Sequence, residues 1–377
     1  METRAAKRRR IIAADPQPSR ITDQDEEEEE EEEEGGATTN DHIGGALIPL
    51  PSANWHRRLA LVDDCLVGGR LLLRELVGIV GEYCGKAFEG TSAVLAVDAN
   101  GIPAGVSSVC TLGNGRLASG SHDNTIRIWD LSKGGECVQT LTGHTENVTS
   151  VCALGNCMLA SGSDDSTVRI WDMGKGGECV QTLTGHTSYV YSVCVLGDGR
   201  LVSCSDDDSI CIWDLSKGGE CVQTLTGHRA GVSSVCALDD NRLASGSYDK
   251  TIRIWDLSKG DECVQTLTGH TGYVNSVCAL GDCILASGSV DRTIRIWDLS
   301  KGGECIQTLV GHTGTALGDG RLASGSHDGS IRIWDIGKGG ECVQTLTGHT
   351  ASVWSACALD DGRLASGSGD ASLRVWC

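Results

Sequence analysis

Residues 143–172 read GHTENVTSVCALGNCMLASGSDDSTVRIWD, and close copies of this stretch recur along most of the chain. Its tryptophan recurs at steps of 42 residues, with one step of 37. The repeated tryptophans are Trp129, Trp171, Trp213, Trp255, Trp297, Trp334 and Trp376. A fixed period of this length indicates a repeat protein, in which each unit buries its apolar face against its neighbours.

Each unit contains four short apolar runs, of which SVCAL, RLASGS, TIRIWD and ECVQTL are typical. Gly, Asp, Asn and Ser separate the runs, and this pattern predicts β-strands joined by turns. Four strands with Gly-His and Trp-Asp pairs in about 40 to 45 residues resemble the repeat of WD40 proteins. The resemblance extends from Gly101 to Cys377. It implies an all-β fold, a seven-bladed propeller over residues 91–377.

The last unit ends at its third strand, because Cys377 follows Trp376 directly. Its fourth strand must therefore come from elsewhere in the chain. Residues 94–102, VLAVDANGI, lie one period before the first ECVQTLTGH, and we predict that they pair with the last strand and close the ring. Closure removes an exposed sheet edge. Ile102 replaces the repeated His, so the first blade is atypical.

One unit is five residues short. Residues 310–326 read VGHTGTALGDGRLASGS, and aligned on Gly-His they lack most of the first strand. Two readings remain open: Thr315, Ala316 and Leu317 form a short inner strand, or the sixth blade has three strands and a gap beside the channel. Either reading predicts that blade six is the weak point of the ring and contributes little to a binding face.

The first ninety residues have a different composition. Residues 1–40 form a predicted disordered tail with a basic cluster, Lys7–Arg10, and an acidic run, Asp25–Glu34. The cluster is either incidental or a nuclear import signal, and the run is either a solvating tail or an arm for histones or ribosomal proteins. Apolar residues at helical spacing predict a helical segment over residues 55–88. It either docks on the propeller or resembles the first helix of an F-box in ubiquitin-ligase substrate receptors.

Nineteen cysteines would suggest a disulfide framework in a secreted protein. Here most of them recur at two positions of the repeat, in the first and fourth strands, and no secretory signal precedes them. We expect an intracellular protein, located in the cytoplasm with the nucleus left open as a second location, in which cysteine is a small buried apolar residue. No Cys-x-x-Cys pair has zinc spacing, so neither a metal nor another cofactor is expected.

A Ser, a His and an Asp recur with each Trp, as in Ser161, His144 and Asp165. Together they suggest a hydrolase triad, but a catalytic set occurs once, whereas this set occurs in six units. In WD40 proteins these residues form a hydrogen-bonded chain, and the resemblance implies the same here. We expect no enzymatic activity and no catalytic residue.

The units differ from one another at two places, around the entry to the first strand and beside the repeated Asp. Four of the five tyrosines fall there, and aromatic residues are frequent anchors of protein interfaces. In the WD40 fold both places open on one face, around the mouth of the central channel. The predicted partner-binding residues are Tyr189, Tyr191, Arg229, Tyr248, Tyr273, His122, His327 and Trp354.

The net charge of −20 leaves the propeller without the basic surface that nucleic-acid binding needs. No apolar run approaches the length of a membrane span. The sequence therefore predicts an interaction scaffold or adaptor in a multiprotein complex. Its expected partner is a protein or a peptide with basic character, rather than a nucleic acid or a membrane.

Overall fold

The computed structural model describes residues 92–96, 104–239, 241–260, 262–281, 283–312, 316–318 and 321–377. Over these residues the chain forms seven antiparallel sheets of four strands each. We number the sheets as blades one to seven in chain order. The predicted tail, residues 1–40, and the predicted helical segment, residues 55–88, lie outside the described residues.

The first four blades each use four consecutive strands. They are β2 (Val106–Gly113), β3 (Arg116–Ser121), β4 (Ile126–Asp130) and β5 (Glu136–Leu141) in blade one; β6 (Val148–Gly155), β7 (Met158–Ser163), β8 (Thr167–Asp172) and β9 (Glu178–Thr184) in blade two; β10 (Val190–Val195), β11 (Leu201–Ser205), β12 (Ser209–Asp214) and β13 (Glu220–Thr226) in blade three; β14 (Val232–Ala237), β15 (Arg242–Ser247), β16 (Ile252–Asp256) and β17 (Cys263–Leu267) in blade four.

The remaining three blades include the shortened unit and the chain end. Their strands are β18 (Val274–Gly281), β19 (Ile284–Ser289), β20 (Thr293–Asp298) and β21 (Glu304–Val310) in blade five; β22 (Ala316–Gly318), β23 (Arg321–Gly325), β24 (Ile331–Asp335) and β25 (Glu341–Leu346) in blade six; β26 (Val353–Ala358), β27 (Leu364–Ser368) and β28 (Ser372–Trp376) in blade seven, where β1 (Ser92–Ala96) is the fourth strand.

One-turn 3-10 helices follow the third strand in the first five blades. They span Leu131–Lys133, Met173–Lys175, Leu215–Lys217, Leu257–Lys259 and Leu299–Lys301. The Asp of each Trp-Asp pair caps the turn: in blade two Asp172 accepts hydrogen bonds from the backbone N–H groups of Gly174 and Lys175. Gly176 then takes a positive φ of 80°, which favours glycine. The same repeated pair thus ends one strand and begins the turn to the next.

The first strands of successive blades pack beside one another in a closed cycle. β2 contacts β6, β6 contacts β10, and the series continues through β14, β18, β22 and β26 back to β2. Apolar side chains fill the spaces between blades, and the repeated Trp packs against the preceding blade. Trp171 of blade two, for example, shares a buried cluster with Ile126 and Ile128 of blade one. The all-β, seven-bladed propeller predicted from the repeats is confirmed.

The first and the last strands of the described chain, β1 and β28, share one sheet. β1 runs antiparallel to β28, with Ser92 opposite Trp376 and Ala96 opposite Ser372. The paired strand begins two residues earlier than the stretch predicted from the sequence, and residues 97–103 lie outside the described part. This pairing gives blade seven its fourth strand.

Blade six has a first strand of three residues, Ala316–Gly318, where blade five has eight. It pairs with β23 through Ala316 opposite Ser324 and Gly318 opposite Leu322. In this structure blade six has four strands, of which the inner one is short. Thr315, also expected in that strand, lies outside the described residues.

In the described part of the chain, no helix is long and apolar enough to cross a membrane.

Candidate functional site

The repeated polar residues form a buried hydrogen-bonded chain within each complete unit. In blade two His144 Nδ1 lies 2.8 Å from Asp165 Oδ2, and His144 Nε2 lies 2.7 Å from Ser161 Oγ. Trp171 Nε1 donates to the same Ser161 oxygen over 2.8 Å. Because an indole N–H only donates and a carboxylate only accepts, the set is satisfied when Ser161 donates to His144 Nε2 and His144 Nδ1 donates to Asp165.

The same chain recurs in blades three, four, five and seven. Its members there are His186, Ser203, Asp207 and Trp213; His228, Ser245, Asp249 and Trp255; His270, Ser287, Asp291 and Trp297; and His349, Ser366, Asp370 and Trp376. This hydrogen-bonded network connects the loop before each blade to the second and third strands of that blade. A fully paired network of this kind specifies one register of the strands.

Burial shapes the protonation of these groups. Burial alone would raise the pKa of Asp165, but hydrogen bonds from His144 and Thr167 outweigh it and hold the pKa well below its usual range. Burial lowers the pKa of His270 despite the neighbouring carboxylate. The serine of the set is 0 % exposed in each of these five blades. The set forms the buried hydrogen-bonded chain that the resemblance implied.

Blades one and six carry altered versions of the network. In blade one, where Ile102 replaces the His, the Asp123 carboxylate pairs instead with Arg127 Nη2 at 2.6 Å. In blade six His312 is turned, so that its Nδ1 meets Ser324 at 2.6 Å while Asp328 stays 3.8 Å from the ring and 52 % exposed. With no carboxylate at hydrogen-bond distance, burial lowers the pKa of His312 to about 4.

A cavity of about 330 Å³ lies on the face where the first strands begin, and we call it the upper opening. Its lining residues come from every blade: Ser107, His122, Thr149, Tyr191, Ser233, Tyr248, Asn275, His327, Val353 and Trp354. A backbone hydrogen bond joins the two variable places of the repeat, as between Asp206 N–H and the Tyr189 carbonyl at 2.9 Å. The two places therefore meet at one rim.

A tyrosine cluster occupies blades three to five. The rings of Tyr191 and Tyr248 are 5.7 Å apart edge to face, and those of Tyr248 and Tyr273 are 5.2 Å apart. Burial, with contacts from Tyr248 and Asp206, raises the pKa of Tyr191 far above its usual range. Glycine at position 231 allows the backbone there to lie close to Asp206, because a Cβ at this position would lie 2.7 Å from an Asp206 oxygen. The tyrosine cluster therefore places aromatic rings beside the carboxylate of Asp206.

A second aromatic pair occupies blades one and seven. His122 stacks on Trp354 with ring centroids 4.7 Å apart and an interplanar angle of 26°. A Cβ at Gly105 would overlap the indole, and one at Gly369 would lie 3.0 Å from it. Nearby, His327 Nδ1 lies 2.9 Å from Ser352 Oγ. Small residues on both sides therefore hold Trp354 in a slot at the rim.

Five of the eight predicted residues line the upper opening, namely Tyr191, Tyr248, His122, His327 and Trp354. The other three lie outside its lining: Tyr189 and Tyr273 are 49 % and 51 % exposed, and Arg229 is exposed too. Alternation along a strand predicted that Tyr189 and Tyr191 share a face. The strand begins only at Val190 and bulges before Ser192, and the described part of the chain shows no ring contact between the two tyrosines.

The lining includes residues that the sequence analysis did not select as partner-binding. Ser107, Thr149, Ser233 and Asn275 occupy the repeat position that Tyr191 and Trp354 occupy, five residues after the Gly-His histidine or its replacement. That common register is the signal that identifies them. The Thr149 hydroxyl donates to the Gly162 carbonyl at 3.0 Å, and the Ser233 hydroxyl to the Gly246 carbonyl at 3.0 Å. These two hydroxyls therefore stabilise the backbone of the blades through hydrogen bonds.

The charges around the opening are uneven. Asp164 and Asp206 stand beside the repeated Asp in blades two and three, where blades one and six carry His122 and His327. Burial and the neighbouring Asp206, Asp207 and Asp249 raise the pKa of Asp208. Negative charge therefore gathers beside Tyr191. Within the described ranges, no group of three or more His, Cys, Asp or Glu is arranged to hold a metal ion.

Comparison with protein families gives seven matches to the model of the WD domain, G-beta repeat. The matched residues are 86–130, 135–172, 177–214, 219–256, 261–298, 303–335 and 340–377. No curated protein matches the chain significantly. Propellers of this family generally serve as scaffolds for protein interactions and are typically not enzymes. Each match covers the fourth strand of one blade and the first three strands of the next. The matches cover more than half of the chain, and the protein therefore belongs to the WD40 repeat family.

Proposed function

We propose that this protein is a non-enzymatic scaffold that binds a peptide or protein segment of basic character at the upper opening. The observation that carries the proposal is the lining of that opening. The blades repeat their buried network closely, yet they place different side chains at one shared register around a single cavity of about 330 Å³. Such a cavity has the size of a small ligand site and suits one side chain of a bound segment.

The chemistry of the rim supports a cationic group. Tyr191 and Tyr248 present aromatic faces, and Asp206 lies beside them. Aromatic faces attract Lys and Arg side chains, and a carboxylate adds a charged acceptor. Tyr and Trp also lose little conformational entropy on binding, so the half-buried Trp354 suits a second anchor.

The test uses synthetic 15-residue peptides in three sets, basic, neutral and acidic, and measures binding to the purified full chain. We expect basic peptides to bind best, and Tyr191→Ala and Trp354→Ala each to weaken that binding by about tenfold or more. The matched control is Val222→Ala, because Val222 is an exposed side chain of the outer strand β13, away from the opening.

Thermal unfolding shows whether each variant keeps its fold, and Tyr191→Phe keeps the ring while removing the hydroxyl. Basic peptides that bind folded Tyr191→Ala and Trp354→Ala as tightly as the wild type would remove the upper opening as the site. Equal binding of all three peptide sets would remove the basic character of the partner. Loss of binding in Val222→Ala alone would move the site to the outer strands.

A further inference from the structure

Blade three departs from the repeat at several buried positions, and one of them lies in its third strand. Six units carry an arginine in the third strand, two residues before the repeated Trp, and blade three carries Cys211 instead. The arginines are Arg127, Arg169, Arg253, Arg295, Arg332 and Arg374. Every unit with a fourth strand after it also carries a cysteine there, and in blade three that residue is Cys221. Blade three alone therefore has cysteine at both positions.

In the other blades the guanidinium fills the space between the outer strand and the Gly-His loop. Arg169 Nη1 lies 3.8 Å from Cys179 Sγ, and Arg295 Nη1 lies 3.8 Å from Cys305 Sγ. On the loop side, a Cβ added at Gly143 would lie 2.9 Å from Arg169 Nη1. The arginine thus separates the fourth-strand thiol from the core of its own blade.

In blade three the two thiols meet across adjacent strands. Cys211 lies opposite Thr224, Trp213 lies opposite Cys221, and the register shifts at a bulge between Ile212 and Trp213. Cys221 Sγ lies 3.4 Å from Thr224 Oγ1, the side chain opposite Cys211, and this places Cys221 close enough to help burial raise the pKa of the Cys211 thiol. Cys211 is 3 % exposed, whereas Cys221 is exposed. One thiol is therefore accessible and its neighbour is shielded.

The space that an arginine fills elsewhere has no such occupant here. Around a Cβ built at Gly185, the three nearest heavy atoms all belong to Trp213, whereas an arginine is among them at the corresponding Gly143. A cysteine side chain ends at Sγ and lacks the five heavy atoms that arginine carries beyond Cγ, so it leaves room beside the pair. Cys211 Sγ lies 3.9 Å from His186 Nδ1, which places the pair directly beneath the buried network of blade three.

We propose that Cys211 and Cys221 form a reversible oxidation site that a hydroperoxide converts to a cross-strand disulfide. The Cys221 thiolate attacks the peroxide, a sulfur–oxygen bond forms, the oxygen–oxygen bond breaks, and an alcohol leaves with the thiol proton. The Cys211 sulfur then attacks the Cys221 sulfur, the sulfur–oxygen bond breaks, and water leaves with the second proton. The two thiols lose two electrons, and the hydroperoxide gains them.

The order of the two steps follows from exposure. Thiolate character and access govern oxidation by peroxides, and burial raises the pKa of Cys211 to about 12. The exposed Cys221 therefore reacts first and Cys211 resolves it. The first-strand cysteines are shielded: burial raises the pKa of Cys152 to about 11 and that of Cys357 to about 12. In an intracellular setting disulfides are mostly transient and redox-sensing, which suits a reversible pair.

The experiment treats the folded full chain with hydrogen peroxide, blocks free thiols with a maleimide and maps tryptic peptides without reduction. Trypsin separates the pair, because Cys211 lies in residues 201–217 and Cys221 in residues 218–229. We expect one two-peptide species that is two hydrogens lighter than the sum, that fragments to a Cys211–Cys221 link and that a dithiol reductant reverses. The oxidised protein should also unfold at a higher temperature.

The chain supplies its own controls. Cys211→Arg restores the pattern of the other blades and should abolish the cross-linked species, and Cys211→Ser does so with a smaller side chain if the arginine variant fails to fold. Cys179, which faces Arg169, should give no cross-link in the wild type. A link through Cys204 instead, an oxidised Cys221 without a partner, or two maleimide-labelled thiols would each overturn the proposal. None of these readouts depends on peptide binding at the upper opening.

Discussion

Removal of one buried hydroxyl should have twice the effect in blade four that it has in blade one. Ser245 Oγ lies 2.8 Å from both His228 Nε2 and Trp255 Nε1, at a residue that is 0 % exposed. Ser119 has the same place in blade one and the same 2.8 Å bond from Trp129, but Ile102 stands where the histidine would be. Each buried group left without a partner costs about 1–3 kcal/mol.

Ser245→Ala leaves two such groups unpaired, and Ser119→Ala leaves one. We therefore expect losses of about 4 and about 2 kcal/mol in the free energy of unfolding. Equilibrium urea unfolding, followed by tryptophan fluorescence and by circular dichroism, measures both losses from the midpoint and the slope. Ser258→Ala is the surface control, since the hydroxyl of the exposed Ser258 only donates to Asp256, the residue that caps the turn. Equal losses in the two blades, or losses under about 0.5 kcal/mol in both, would refute the hydrogen-bond reasoning.

Three further predictions concern blade six and the rim. Replacing residues 311–318 with residues 269–281 restores the five missing residues and should raise Tm by about 4 °C or more, because it buries additional valine; an unchanged Tm would show that the ring does not depend on them. His312 has a pKa lowered to about 4 in the folded state, so the unfolded chain binds more protons between pH 4 and 6.5 and stability falls as pH drops through that window; His312→Gln should therefore lose less Tm than the wild type between pH 7 and 5, and an equal loss would contradict this. Gly105→Ala should displace the Trp354 indole and weaken peptide binding as much as Trp354→Ala does, measured with the same peptides, and unchanged binding would contradict the slot.

The sequence predicted the fold well because the repeats are nearly identical. A period of 42 residues, strand-like runs and a fixed Trp position identify the blade without knowledge of long-range contacts. The polar network was predictable from the resemblance as well. The altered network of blade six was not predicted, because the sequence places His312, Ser324 and Asp328 in the usual order. In the folded blade the ring of His312 turns toward Ser324 and leaves Asp328 exposed, beside a first strand of only three residues.

The candidate site was predictable as a face but not as a set of contacts. Differences among the repeats selected Tyr191, Tyr248 and Trp354, which line one cavity, and their role in binding stays a prediction. Simple alternation does not describe Tyr189, because the strand starts one residue later and bulges immediately. A bulge depends on the pairing of two strands, and one strand's pattern does not encode it.

The sequence by itself determined that this chain is a ring of seven similar sheets, since spacing and side-chain type act locally and repeat. Tertiary structure decided which side chains from different blades meet. Tyr191 and Tyr248 belong to neighbouring blades, and His122 and Trp354 belong to the first and the last. The tyrosine contact exists because successive blades pack side by side, and the His122–Trp354 contact exists because closure brings the first and last blades together. No local rule in the chain specifies either distance.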